Sequence, residues 1–247
     1  MTSGWLVHAG SVEPIFEAAL ANDPAEIAAI VARSPTAAAQ RMAGDLFVAE
    51  LPHMLYRGDT PLHLAAAGLR FDAARALLAA GAPANAVNRR GAAALHYACD
   101  PRPSSQTWDP ASQRQIIELL IAHEAEVDRP DRGGVTALHR AVRARSPAAA
   151  AALLTAGADP RAATKKAGST PLHLAVAPTG ASGTAGAGEL QIEIVRMLLA
   201  AGAAMTDVDR GGVAVADRIH SQALREALAA GQLWGPAPRR LPAGRAT

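Results

Sequence analysis

Four histidines stand out as candidates for chemistry: His63, His96, His139 and His173, spaced 33, 43 and 34 residues apart. Imidazoles at regular intervals could hold a metal. Zinc, however, binds nitrogens at about 2.0–2.1 Å, whereas packed helices stand about 8–10 Å apart. One histidine per helix therefore cannot converge on a single ion. The spacing predicts instead buried imidazoles, each hydrogen-bonded to backbone near the turn of its own or the adjacent unit. Cys99 follows His96 by three residues and could form a thiolate–imidazole nucleophile. No third orienting group or oxyanion loop accompanies the pair, and Cys99 falls where another segment has Ala66, so core packing is expected. The run PTGASGTAGAG at 178–188 could cradle phosphate, but it lacks a Gly-Lys-Ser/Thr ending and has Gln191 where a third glycine would fall. This leaves no catalytic residue, no metal ligand and no cofactor.

Those histidines must sit on something, and composition limits what. The chain has 247 residues, 50% hydrophobic but only 3% aromatic, with 24 basic and 22 acidic side chains for a formal charge of +2. That hydrophobic fraction suits a folded chain rather than a disordered one. A core so poor in rings must be built from Ala, Leu, Val and Ile, which predicts thin, closely packed helices. The single cysteine excludes an internal disulfide. Residues 1–12 lack the features of a signal peptide, and no apolar run approaches the roughly 20 residues that span a bilayer. A reduced, cytoplasmic protein without membrane attachment is expected.

The segments around the histidines repeat. GDTPLHLAAAG starts at Gly58, GAAALHYACD at Gly91, GVTALHRAVRA at Gly134 and GSTPLHLAVA at Gly168. Each precedes an apolar run that closes near a turn: ARALLAAGA, QIIELLIAHEA, AAALLTAGA and IVRMLLAAGA. A weaker fifth copy, GGVAVADRI from Gly211, puts Asp217 in the histidine position. This pattern resembles the ankyrin repeat, in its period of about 33 and its Thr-Pro-Leu-His-x-Ala signature, over residues 57–220.

One unit can be built from its residues. Thr60 offers a capping hydroxyl and Pro61 suits the first helical position. Leu62, Ala65 and Ala66 form an apolar stripe, and a second helix over about 72–80 buries Ala73, Ala74, Leu77 and Leu78. Gly81 then supplies a left-handed end. Neither helix persists alone, so units must stack. Ala93 and Ala94 replace Thr-Pro in the second copy, while Ser146-Pro147 opens a helix in the third. Leu120 and Leu154 are taken as buried leucines.

The resulting expectation is an all-α solenoid of helix–turn–helix units with short hairpin tips. Residues 1–56 form a divergent capping repeat and connector, with an extended stretch before Gly58. Four repeats occupy 57–90, 91–132, 133–166 and 167–210. Inserts at 100–112 and 178–188 fall between the two helices of their units. Residues 211–234 form a degenerate capping repeat with a closing helix pair, and 235–247 a disordered Pro/Arg tail. Trp5 and Trp234 seal the caps.

The resemblance implies protein–protein recognition without catalysis, with first helices and turn tips lining a concave face. Cations gather at the tips: Arg57, Arg89, Arg90, Arg132, Lys165, Lys166 and Arg210. The third unit adds Arg140, Arg143 and Arg145 along its first helix, where its siblings carry Leu64, Tyr97 and Leu174. Together these make a basic groove for an acidic protein surface, or ordinary solvated surface balanced by Asp59, Asp128, Asp131, Asp207 and Asp209. Trp108, in the first insert, either anchors a partner or folds back over the helix ends. The expected partner-binding set is Trp108, Tyr97, Arg140, Arg143, Leu174, Arg89, Arg90, Arg132, Lys165 and Lys166. The partner is another protein; nucleic acid along the basic tips is the alternative, disfavoured by the interleaved aspartates and missing aromatics. The chain itself is expected to be a monomer or weak oligomer.

Overall fold

A computed structural model describes residues 13–48, 51, 53–101, 103, 108–177 and 188–231. Trp5, Trp234, the tail at 235–247 and most of the second insert lie outside the described residues.

Proline-led entries write most of the helices. Asp23 precedes Pro24 and its carboxylate accepts from the backbone N–H groups of Ala25 and Glu26, both at 3.0 Å. Asp109 does the same for Ser112 at 2.7 Å, and the Ser146 hydroxyl for Ala149 at 3.2 Å. Such side chains satisfy donors that a helix start leaves unpaired. The helices form consecutive pairs: α1 (Pro14–Ala21) with α2 (Pro24–Arg33), α3 (Pro61–Ala67) with α4 (Phe71–Ala79), and α5 (Ala94–Ala98) with α6 (Pro110–Ala122). Then come α7 (Ala137–Arg143) with α8 (Pro147–Thr155), and α9 (Pro171–Val176) with α10 (Gly188–Ala200). α11 (Gln222–Ala229) closes the series.

Each first helix packs on the next first helix, and each second helix on the next second helix, which gives two layers. The interior between them is largely small and aliphatic: Ala65, Ala66, Ala98, Ala141, Ala150 and Ala175 are fully buried beside Leu62, Leu95, Leu138 and Leu172. The composition foretells this core, since alanines let backbones approach closely. Leu120 is fully buried, but Leu154 lies only half-buried on the outer side of α8, where Leu153 takes the core position.

The tips hold one another in register. The Arg89 N–H donates to the Arg57 carbonyl, Arg132 to Arg90, Lys165 to Gly133 and Arg210 to Ala167, at 2.8–3.0 Å. Gly134 is needed at such a crossing. Its φ is +80°, and a Cβ there would stand 2.6 Å from the Lys165 nitrogen. No other residue fits that approach.

Three expectations need correction, while the extended stretch before Gly58 is an antiparallel hairpin, β1 (Leu46–Val48) and β2 (His53–Leu55), that follows a 3-10 turn at Pro35–Ala39. Its base is tied by backbone bonds between Met42 and the Gly58–Asp59 pair at 2.8–2.9 Å. Val48 and Leu55 point inward and are buried, while the opposed pair Phe47 and Met54 faces out, 59% and 39% exposed. The last unit has a 3-10 turn at Ala216–Arg218 and one helix rather than a closing pair, since Leu-His-x-Ala is missing there. The first insert is shorter than expected, because Pro110–Ser112 already belong to α6, as Gly188 already belongs to α10. Finally, Arg145 is not on the first helix of its unit. It follows α7 in the left-handed region at φ +58°, buried, donating to the Ala175 and Ala177 carbonyls at 2.7 and 2.8 Å.

Candidate functional site

The ladder histidines come first, because they fix the floor on which everything else rests. The Thr60 N–H donates to His63 Nδ1 at 3.1 Å, and the Thr60 hydroxyl lies 2.9 Å from the same nitrogen. Here the hydroxyl meets the ring, not the helix backbone as capping would have it. His63 Nε2 is 3.1 Å from the Ala92 carbonyl of the next unit. His96, His139 and His173 repeat this, with Nδ1 taking the Ala93, Thr136 and Thr170 N–H groups at 3.1–3.2 Å. Their Nε2 atoms lie 3.0–3.3 Å from the Val135, Ser169 and Val213 carbonyls. An Nδ1 that accepts from backbone leaves the proton on Nε2. Each ring is thus a neutral strut between units.

Burial lowers the pKa of His63, His96 and His139, bringing His96 to about 4. It also pushes the Cys99 thiol up, with Asp100 adding to the rise. A protonated thiol that is fully buried is no nucleophile.

Of the ten residues expected to bind a partner, seven line one cavity: Tyr97, Trp108, Arg89, Arg90, Arg132, Arg140 and Arg143. Leu174, Lys165 and Lys166 lie outside it. The cavity exists because the hairpin swings over the first-helix layer. The His53 ring on β2 meets the Tyr97 ring edge-on at 4.7 Å between centroids. A Cβ on Gly68 would stand 3.1 Å from Leu51, which marks how closely the strand connection rests on the end of α3.

The hairpin overturns part of the sequence reading. Tyr97 is buried, and its hydroxyl donates to Asp59 at 2.7 Å and accepts from Asn88 at 2.9 Å. It is a structural residue rather than a contact on an open face. Leu64 is buried in the same way, so α3 has no exposed side. Leu174 is half-buried against the core. Arg89 and Arg90 are not free tip cations. Arg89 Nε donates to Asp45 at the hairpin base at 2.9 Å, and Arg90 donates to the Tyr56 hydroxyl at 2.9 Å. Both guanidinium groups also lie over the Tyr56 ring, at 5.1 and 4.8 Å. Together they clamp the hairpin to the next tip.

Arg140 lies only 11% exposed, 2.7 Å from Asp100 and 3.7 Å from Asp131, with its guanidinium 5.7 Å from the Tyr97 ring. Arg143 is half-exposed and 3.5 Å from Asp100. Trp108 folds back: its indole N–H donates to Gln113 Oε1 at 2.7 Å. That buried amide also accepts from the Ser146 hydroxyl at 2.6 Å and donates to the Ala98 carbonyl at 2.9 Å. Gln191 repeats the last bond to Ala175 at 2.7 Å. Both inserted units therefore use a buried glutamine to satisfy the first helix. The common spacing of Gln ahead of an Ile-rich run could have flagged it.

The tip aspartates are drawn inward. Asp131 accepts from the Gly133 and Val135 N–H groups at 2.8 and 3.0 Å, and Asp209 from Gly211 and Val213 at the same distances. Asp59 is buried, and Asp207 is buried and pairs with Arg161. The exposed cations Arg132, Lys165, Lys166 and Arg210 form no ion pair among the described residues. His53, Arg70, Asp100 and Gln113 were not foreseen in this site. His53 alone had a sequence signal, as a histidine off the ladder in an extended apolar stretch.

Comparison with known proteins places this geometry. A family model for ankyrin repeats in three copies matches residues 111–210, and a single ankyrin-repeat model matches residues 57–89. The chain is 34% identical over 121 residues to the nuclear factor NF-kappa-B p105 subunit of Gallus gallus, covering 48% of this chain and 11% of that protein. It is 35% identical over 118 residues to the B-cell lymphoma 3 protein homolog of Mus musculus, covering 48% and 25%. Neurogenic locus notch homolog protein 4 of Homo sapiens is 38% identical over 92 residues, covering 37% and 4%. The chain thus spans a quarter or less of the length of these relatives.

Proposed function

The chain belongs to the ankyrin repeat family, and on that premise we propose that it is a non-catalytic scaffold that captures another protein. Ankyrin repeats generally mediate protein–protein interaction, and no described helix is long and apolar enough to cross a membrane. The reading places it in the cytoplasm, with an acidic surface of the partner docking on the tips of the third to fifth units. One observation carries this: Arg132, Lys165, Lys166 and Arg210 project without ion pairs among the described residues, while neighbouring aspartates bond their own turns. Interleaved carboxylates had argued against a basic surface, and their inward use weakens that objection. Exposed Phe47 and Met54 add an apolar contact on the hairpin's outer face.

The pre-ordered stack loses little conformational entropy on binding, and unpaired cations speed encounter with an acidic partner. Substituting Lys165→Glu, Lys166→Glu and Arg210→Glu together tests this. Affinity capture from cell extract, compared by quantitative mass spectrometry, should lose the proteins retained by the unaltered chain. Equal recovery by a variant with unchanged circular dichroism would refute the tip assignment.

A further inference from the structure

The cavity beneath the hairpin has a volume of about 1180 Å³ and opens between β2, the end of α3, α5 and α7. Three buried side-chain nitrogens lack a hydrogen-bond partner among the described residues: His53 Nε2, Arg70 Nε and Arg140 Nε. All three residues line this one cavity. A guanidinium Nε–H can only donate, and an imidazole nitrogen can carry a proton. Buried donors are otherwise satisfied almost without exception, so three on residues lining one cavity point to an acceptor there.

Charge says which acceptor. Six arginines line the cavity against two aspartates, Asp100 and Asp131. Both aspartates are already engaged by Arg140, and Asp100 by Arg143 as well. Arg70, Arg90 and Arg132 have no ion pair among the described residues. Planar guanidinium groups match the geometry of carboxylate and phosphate, and such contacts strengthen where water is partly excluded. The volume is of the order of small-molecule sites, about 300–1,000 Å³.

We propose that this cavity binds an oxyanion, a carboxylate or phosphate group held by His53, Arg70, Arg140 and Arg143. The assignment goes beyond capture of a protein at the tips; the two readings share only Arg132 and Met54 and are tested at different residues, so either result can fail while the other stands. Lys165, Lys166 and Arg210 take no part in the cavity.

The test is a titration of the 247-residue, nitrogen-15-labelled chain with inorganic phosphate, with citrate and with a hexaglutamate peptide, read at the arginine Nε–H signals. The signals that vanish in Arg70→Met and in Arg140→Met should move together with one midpoint. That midpoint should rise about tenfold or more in Arg143→Met, the loss expected for one charged hydrogen bond. Arg114→Met, on the outer helix α6, should titrate as the unaltered chain does. If Arg140→Met does not fold, the Arg70 and Arg143 variants carry the comparison. Response to phosphate or citrate alone supports a free small anion, and response to hexaglutamate supports a carboxylate from a bound chain. No response to any of the three, or the same midpoint in Arg143→Met, would overturn the site.

Discussion

A ladder histidine does two jobs: its Nδ1 takes the N–H at the start of its own helix, and its Nε2 reaches a carbonyl of the next unit. Protonation would put a second proton where an acceptor is needed, and burial already opposes the charge. His63, His96 and His139 are therefore held below the usual value near 6.5, His96 at about 4. In the unfolded chain they titrate normally, so the unfolded state binds more protons as pH falls. Their contribution is complete above about pH 6.5 and is lost as pH falls below it, that of His96 as pH drops toward 4, at up to roughly 1.4 kcal/mol per pH unit within that window. Urea unfolding followed by circular dichroism should give midpoints that fall steadily across this window. A flat profile there would show that the rings are not neutral struts. At this scale the sequence was informative, since it predicted the backbone bonds of the ladder imidazoles. It misled at Tyr97, which holds the position after a ladder histidine, and nothing local reveals that a distant hairpin covers it.

Elements divide into those with local signals and those that depend on packing. Asp23-Pro24, Thr60-Pro61, Asp109-Pro110, Ser146-Pro147 and Thr170-Pro171 each start a helix, because a proline ring set for the first turn acts locally, whereas Asp100-Pro101 and Asp159-Pro160 start none. The hairpin has no such signal. Its strands are three residues each, and they are held by Leu55 in the core, Arg89 on Asp45 and Arg90 on Tyr56. Arg145 likewise looked like a continuation of α7, but the chain turns left-handed there so that Ser146-Pro147 can begin α8. Two glycines allow a comparison, Gly134 at a tip and Gly157 at the end of α8. Gly134 and Gly157 both have positive φ, +80° and +89°, yet a Cβ meets the Lys165 backbone only at Gly134 and nothing within 4 Å at Gly157. Gly134→Ala should cost more than Gly157→Ala, which bears only the backbone strain of about 1–3 kcal/mol. Equal urea midpoints for the two variants would mean that the tips are not locked to each other.

The whole molecule is a row of paired helices whose neighbours contact only neighbours, so its shape follows from repetition. That architecture was legible, because motif, period and trailing apolar run recur together. Which residues stand exposed was legible only in part. Arg132, Lys165, Lys166 and Arg210 project as the repeat alignment implied, whereas the middle of the concave side is closed by the hairpin and by Trp108 folded onto Gln113. Local sequence records which residues could point outward and is silent on what another segment lays over them. Hydrogen–deuterium exchange on the chain, alone and with its captured protein, tests the account most directly. Protection should appear at the tips around 132–135, 164–168 and 209–213 and on the outer strand face at Phe47 and Met54. Protection confined to the second helices α4, α6, α8 and α10, with the tips unchanged, would contradict it.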